Sequence, residues 1–183
     1  MKLFYAAALI PLILAGCDKK PEFKAENASV AEVASAANSM IRMEPGKWRT
    51  EVSVDSVEIA NAPAQVADAM KRQLSATGKQ TAESCVTKEQ AERPPEDLLG
   101  GKGMKSCRYD SFAIKGGKLD AQMTCQGGPA GPASKIQSKI TGDFGSKSYD
   151  LVSETSAHIQ DQSITTKTKI KGARIGDCTP AAS

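Results

Sequence analysis

From residue 47 onward the chain is dominated by a two-residue period of apolar and polar positions. Trp48, Thr50, Val52 and Val54 alternate with Arg49, Glu51, Ser53 and Asp55, the pattern of a strand with one face toward a core. The alternation slips at Ser56 and resumes on Val57 and Ile59, which predicts a β-bulge there. Residues 79–85 read as a second strand. Residues 107–114 and 118–125 form a hairpin through Lys115-Gly116-Gly117, with Gly117 supplying the left-handed position of a three-residue loop. That register pairs Ala113 with Leu119, Ser111 with Ala121, Tyr109 with Met123 and Cys107 with Cys125. A second hairpin turns at Gly145-Ser146, setting Tyr149 over Gly142, Leu151 opposite Ile140 and Thr155 opposite Ile136. A last strand carries Ile164, Thr166, Thr168 and Ile170 inward and Lys167, Lys169 and Lys171 outward. The expected fold is mainly β: an antiparallel meander of about seven strands, forming a curved sheet or partly closed barrel with one or two peripheral helices.

Helical period appears in two places. Ser29-x-x-Glu32 is a capping box for a helix over 30–42, with Val30, Val33, Ala37 and Ile41 on its apolar side and Pro45-Gly46 ending it. Val66, Met70 and Leu74 form a stripe for a helix over 63–75. Thr87-x-x-Gln90 caps about one further turn before Pro94-Pro95.

The N-terminus carries an address. Met1-Lys2, an apolar run over 3–14 and then Leu14-Ala15-Gly16-Cys17 form a secretory signal, too short for the roughly 20 residues of a membrane span. The Leu-Ala-Gly-Cys ending resembles the lipobox of bacterial lipoproteins, which implies a signal peptide over 1–16 and acyl chains on Cys17 as the membrane anchor. Residues 18–28 are polar and read as a tether, so that 17–43 comprise the lipidated cysteine, tether and short helix. A single β domain follows over 44–178, with a flexible tail over 179–183. The expected location is the periplasmic side of a Gram-negative cell membrane. Asp18 resembles an inner-membrane retention signal, Lys19 weakens it, and the choice of membrane stays open.

Once Cys17 is assigned to lipid, four of the five cysteines remain. Export to an oxidising space and the absence of a C-x-x-C pair favour disulfides over metal. Cys107 and Cys125, directly opposite in the hairpin, lie at bonding distance if theirs is a non-hydrogen-bonded pair, which leaves Cys85 to join Cys178. The domain is thus stapled by two disulfides.

Composition excludes more than it assigns. With 40% hydrophobic and 25% charged residues the chain is neither a polytopic membrane protein nor disordered. A formal charge of +3 without a basic cluster gives no reason to expect nucleic acid. His158, the only histidine, falls on the outward face without a nucleophile or an orienting group. Lys135, Lys139, Lys167, Lys169 and Lys171 share that face with Asp143, Asp150 and Glu154, a mixed solvated surface. No catalytic residue, metal site or cofactor is expected.

Pro45-Gly46-Lys47-Trp48, Ser84-Cys85-Val86-Thr87, Cys107-Arg108-Tyr109, Thr124-Cys125 and Arg174-Ile175-Gly176-Asp177-Cys178 together resemble domain of unknown function 3617 over residues 44–178. That resemblance implies a small exported envelope protein of Gram-negative bacteria with paired cysteines, and it brings no catalytic residues. The chain therefore reads as a non-enzymatic binding or structural module held at the membrane through Cys17. The alternative is a carrier of a small apolar ligand between the curved sheet and the 63–75 helix, oriented by inward Ser111, Ser138, Ser153, Thr155 and Thr166.

Overall fold

A computed structural model describes residues 22–37, 40–76, 78–92, 106–127, 134–159 and 161–178. The expected signal peptide over 1–16, Cys17, residues 18–21 and the expected tail over 179–183 lie outside the described residues. Strand β1 (Glu22–Ser29) runs into helix α1 (Val30–Ala37). Then follow β2 (Gly46–Ala60), α2 (Ala64–Ala76), β3 (Lys79–Val86) and α3 (Lys88–Ala91). The meander is β4 (Cys107–Lys115), β5 (Lys118–Gln126), β6 (Lys135–Phe144), β7 (Ser148–Ile159) and β8 (Gln162–Gly176). All eight strands form one antiparallel, unclosed sheet in the order β1-β4-β5-β6-β7-β8-β2-β3.

The extra strand comes from the polar stretch read as a tether. From Glu22 onward that stretch is an edge strand paired with β4, Glu22 opposite Lys115 and Ser29 opposite Arg108. Phe23 supplies its apolar contact, 5.8 Å from the ring of Phe112. Asn27 interrupts its alternation at φ 52°, a left-handed conformation that asparagine tolerates. The Ser29–Glu32 capping box forms as expected: the Ser29 amide donates to Glu32 at 2.7 Å and the Glu32 amide to the Ser29 hydroxyl at 3.2 Å.

The β2 register shifts between Val54 and Ser56, which keeps both Val52 and Val57 on the core side. The first hairpin departs from its expected register halfway along. Cys107–Cys125 and Tyr109–Met123 pair as expected, but a bulge at Asp110 moves Phe112 opposite Ala121 and Ile114 opposite Leu119. The loop shortens to Gly116-Gly117, both at positive φ (57° and 82°), the requirement of a tight two-residue turn. The bulge brings Phe112 and Ile114 into the core, while Ser111 lies opposite Gln122, a position exposed on the other face.

The second hairpin also differs, by two residues. Phe144 pairs with Tyr149 and Gly142 with Leu151 across a longer turn, closed by the Gly145 amide donating to the Ser148 carbonyl at 2.8 Å. A shift of two leaves every side chain on its expected face. It moves the aromatic cover, however: Tyr149 lies over Gly172 on β8, where an added Cβ would come within 2.1 Å of the ring. In α2 the stripe is rotated. Ala67 is buried against the sheet, whereas Val66 is 47% exposed.

Both disulfides are present, Cys85–Cys178 and Cys107–Cys125. The core lies on one face of the sheet under α1 and the segment leading to β2. Val33, Ala37 and Ile41 pack there with Trp48, Tyr109, Phe112, Tyr149 and Leu151. Glu44 ties that segment to the second hairpin through its amide and the Ser146 carbonyl (2.8 Å), and its own carbonyl accepts the Trp48 indole N–H (2.9 Å).

Candidate functional site: the open half of the inner face

Register extends the core face across the whole sheet, but the residues on it change character. At the hairpin end, Phe144, Tyr149, Leu151 and Trp48 are buried, with Tyr149 stacked between Trp48 (6.0 Å, 14°) and Phe144 (5.7 Å, 2°). Further along the same strands the rows read Ile140–Ser153–Thr168–Val54, Ser138–Thr155–Thr166–Val57 and Ile136–Ala157–Ile164–Ile59. Apart from Val57, each of these side chains is only half-buried.

The chemistry of this open half follows from its composition. β-Branched Ile, Val and Thr satisfy the strand without filling much volume, so a pleated surface forms that aromatic residues do not cover. Its hydroxyls are linked: Ser138 to Thr155 at 2.9 Å and Ser153 to Thr155 at 3.5 Å. Each hydroxyl retains capacity for a further bond. Helix α2 borders the region along β2 through Ala67. Of the sequence-derived candidates, Ser138, Ser153, Thr155 and Thr166 come together here. The bulge at Asp110 removes Ser111 from the set.

A depression of about 670 Å³ lies at the hairpin end among Gly116, Gly145, Tyr149, Gly172 and several charged groups. Those charges are already neutralised. Lys171 meets Asp150 at 2.8 Å, Arg49 meets Glu83 at 2.8 Å, Lys79 meets Glu51 at 2.6 Å and Lys118 meets Asp143 at 2.9 Å. Phe144 and Tyr149, which stack on each other, line it as well. The open half differs in setting linked hydroxyls beside half-buried apolar side chains.

The outer face is a solvated network. Lys169 pairs with Asp55 at 2.7 Å, and Glu154 lies between Lys139 and Lys167 in the ladder. Glu22 accepts from both Lys24 and Lys115 (2.8 and 2.9 Å), and these bonds hold its carboxyl down at about 2. Burial raises the Tyr109 phenol to about 12. His158 is exposed between the Lys135 and Ser163 positions. Among the described residues, no three His, Cys, Asp or Glu side chains group to hold a metal ion, and no helix is long and apolar enough to cross a membrane.

Comparison with known proteins adds the family. No curated protein and no solved structure matches the chain. The family model described as protein of unknown function (DUF3617) matches residues 43–178, from just before β2 to the second cysteine of the Cys85–Cys178 bond. The chain belongs to the DUF3617 family.

Proposed function

We propose that this protein is a lipid-anchored periplasmic module that binds a ligand without transforming it. The ligand is a small, elongated apolar molecule with one hydrogen-bonding end, taken up on the open half of the inner face. The observation that carries this reading is the half-buried surface of β6, β7, β8 and β2, apolar at Ile136, Ile164 and Ile59 and hydroxyl-lined at Ser138, Ser153 and Thr155. Such a mixture fits binding sites that are mostly apolar, with a few polar groups to orient the ligand. The anchor is supported by Leu14-Ala15-Gly16-Cys17 after the apolar run. Each acyl CH₂ buried in a bilayer contributes about 0.8 kcal/mol, so two or three chains on Cys17 hold the protein permanently.

Native mass spectrometry of residues 19–183, purified from the periplasm of the source bacterium, tests the binding function. The expected result is an added mass that survives native transfer and is released as an apolar compound on denaturation. A uniformly ligand-free mass would contradict the carrier reading. Fractionation of Cys17→Ser tests the anchor separately: the substituted chain should leave the membrane, and tight retention after a salt wash would overturn lipidation at Cys17.

A further inference from the structure

We infer that the hairpin end of the sheet faces the bilayer and that the open half of the inner face points away from it, into the periplasm. This orientation rests on the anchored reading of Cys17, and it follows from where β1 begins. The chain from Cys17 to Glu22 is five residues long and so reaches at most about 18 Å. Glu22 is no longer part of a tether. It is fixed in the sheet opposite Lys115, and both join the Glu22–Lys115 ion pair at 2.9 Å.

From Glu22, one row of paired residues crosses the sheet: Lys115, Lys118, Asp143, Asp150, Lys171 and Glu51. This row lies beside both hairpin turns, and the Phe144 amide donating to the Gly117 carbonyl holds the two turns together. The row nearest the anchor is thus the one that carries the hairpin tips. At β1's other end, Ser29 lies about 23 Å farther along the strand at the usual rise of ~3.3 Å per residue. That end leads to Arg108, Gln137, Ser156 and Thr165, and beyond them to Ile136, Ile164 and Ile59 of the open half. The anchor is short enough to hold one end of the domain down and too short to bring the other end to the surface with the strands upright.

The charges at the near end suit an aqueous lipid headgroup layer. Lys24, Lys115, Lys118 and Lys147 are 68–76% exposed, and Lys24 and Lys115 share the single carboxylate of Glu22. Asp120 and Asp143 border the same depression as Glu22, Lys24, Lys115 and Lys118, so this patch is balanced in charge. The geometry of the anchor sets the orientation. A ligand bound in the open half then exchanges with a partner on the periplasmic side rather than with the bilayer that holds the protein.

The test uses the acylated mature chain, extracted from membranes, labelled with ¹⁵N-glycine and reconstituted in nanodiscs containing a gadolinium-chelating lipid. Gly116, Gly117 and Gly145 report the near end. Gly127, whose amide donates to the Ser134 carbonyl, reports the far end. Amide relaxation at the three near glycines should increase several-fold more than at Gly127. Equal or greater enhancement at Gly127 would overturn the orientation while leaving the anchor intact. A chain that carries no acyl mass on Cys17 and does not stay on the discs would bring down the anchor and the orientation together.

Discussion

The packed and open halves of the inner face are built on the same strands, yet they differ in what their side chains accomplish. In the packed half, Trp48, Tyr109, Phe112 and Tyr149 fill the space under α1 and are almost wholly buried. In the open half, Ser138, Ser153, Thr155 and Thr166 hold the same pleat and the same ladder but are only half-buried. Backbone pairing and β-propensity suffice to make a sheet, whereas stability comes mainly from the apolar area removed from water. The difference separates two halves within one layer: one holds the fold together, and the other is the surface proposed to take a ligand.

The largest effects should therefore fall on the packed half. Trp48→Ala removes a ring that is 1% exposed, its stack on Tyr149 and its bond to the Glu44 carbonyl. It should cost about 3–5 kcal/mol in urea-induced unfolding. Thr155→Val removes a half-buried hydroxyl that meets Ser138 at 2.9 Å and Ser153 at 3.5 Å, and should cost less than about 1 kcal/mol. Comparable losses for the two substitutions would erase the distinction between the halves.

The disulfides sharpen the comparison at the next scale. Cys107–Cys125 closes a separation of 18 residues within one hairpin, and Cys85–Cys178 closes 93, tying edge strand β3 to the end of β8. Loop-closure entropy predicts that the paired alanine substitution at Cys85 and Cys178 destabilises by about 1–2 kcal/mol more than the pair at Cys107 and Cys125. Thermal unfolding of the two double variants measures the order, and the reverse order would show that local packing of the hairpin outweighs chain entropy.

The smallest effect concerns the edge. The Glu22 carboxyl sits at about 2 in the fold against an ordinary 4.5, because Lys24 and Lys115 hydrogen-bond its charged form. A depressed carboxylate contributes stability above its unfolded value, and that contribution is lost as pH falls through the folded value. Amide exchange at Glu22–Lys24 should therefore quicken relative to β5 as pH drops from about 4.5 to about 2, after correction for intrinsic rates. Unchanged relative protection across that window would remove the two lysines from the docking of β1.

Features that arise from period alone were legible in the sequence. The bulge near Ser56 follows from the change of phase between Val54 and Val57, and both capping boxes follow from residue spacing. The disulfide pairing was legible because Cys107 and Cys125 fall opposite each other on the unshifted side of the Asp110 bulge. That bulge itself was hidden: Ser111 and Ala113 are small enough for either face, so the pattern carries no clear slip. The two-residue error in the second hairpin was invisible to face assignment, since it preserves alternation. Strand β1 was masked by its charges and by Asn27, which breaks the period after Ala25. Within the candidate site, the inward hydroxyls of β6, β7 and β8 could be read from alternation. Their half-burial could not, because it depends on where α1 and α2 come to rest.

Isoleucine-methyl NMR during titration with laurate tests the division of the inner face most directly. Ile59, Ile136 and Ile164 report the open half, and Ile41 and Ile114, at 2% and 3% exposure, report the packed half. The account predicts saturable shifts at Ile59, Ile136 and Ile164 with Ile41 and Ile114 unmoved. Shifts spread equally over all five, or no shift at the open-half methyls, would contradict it.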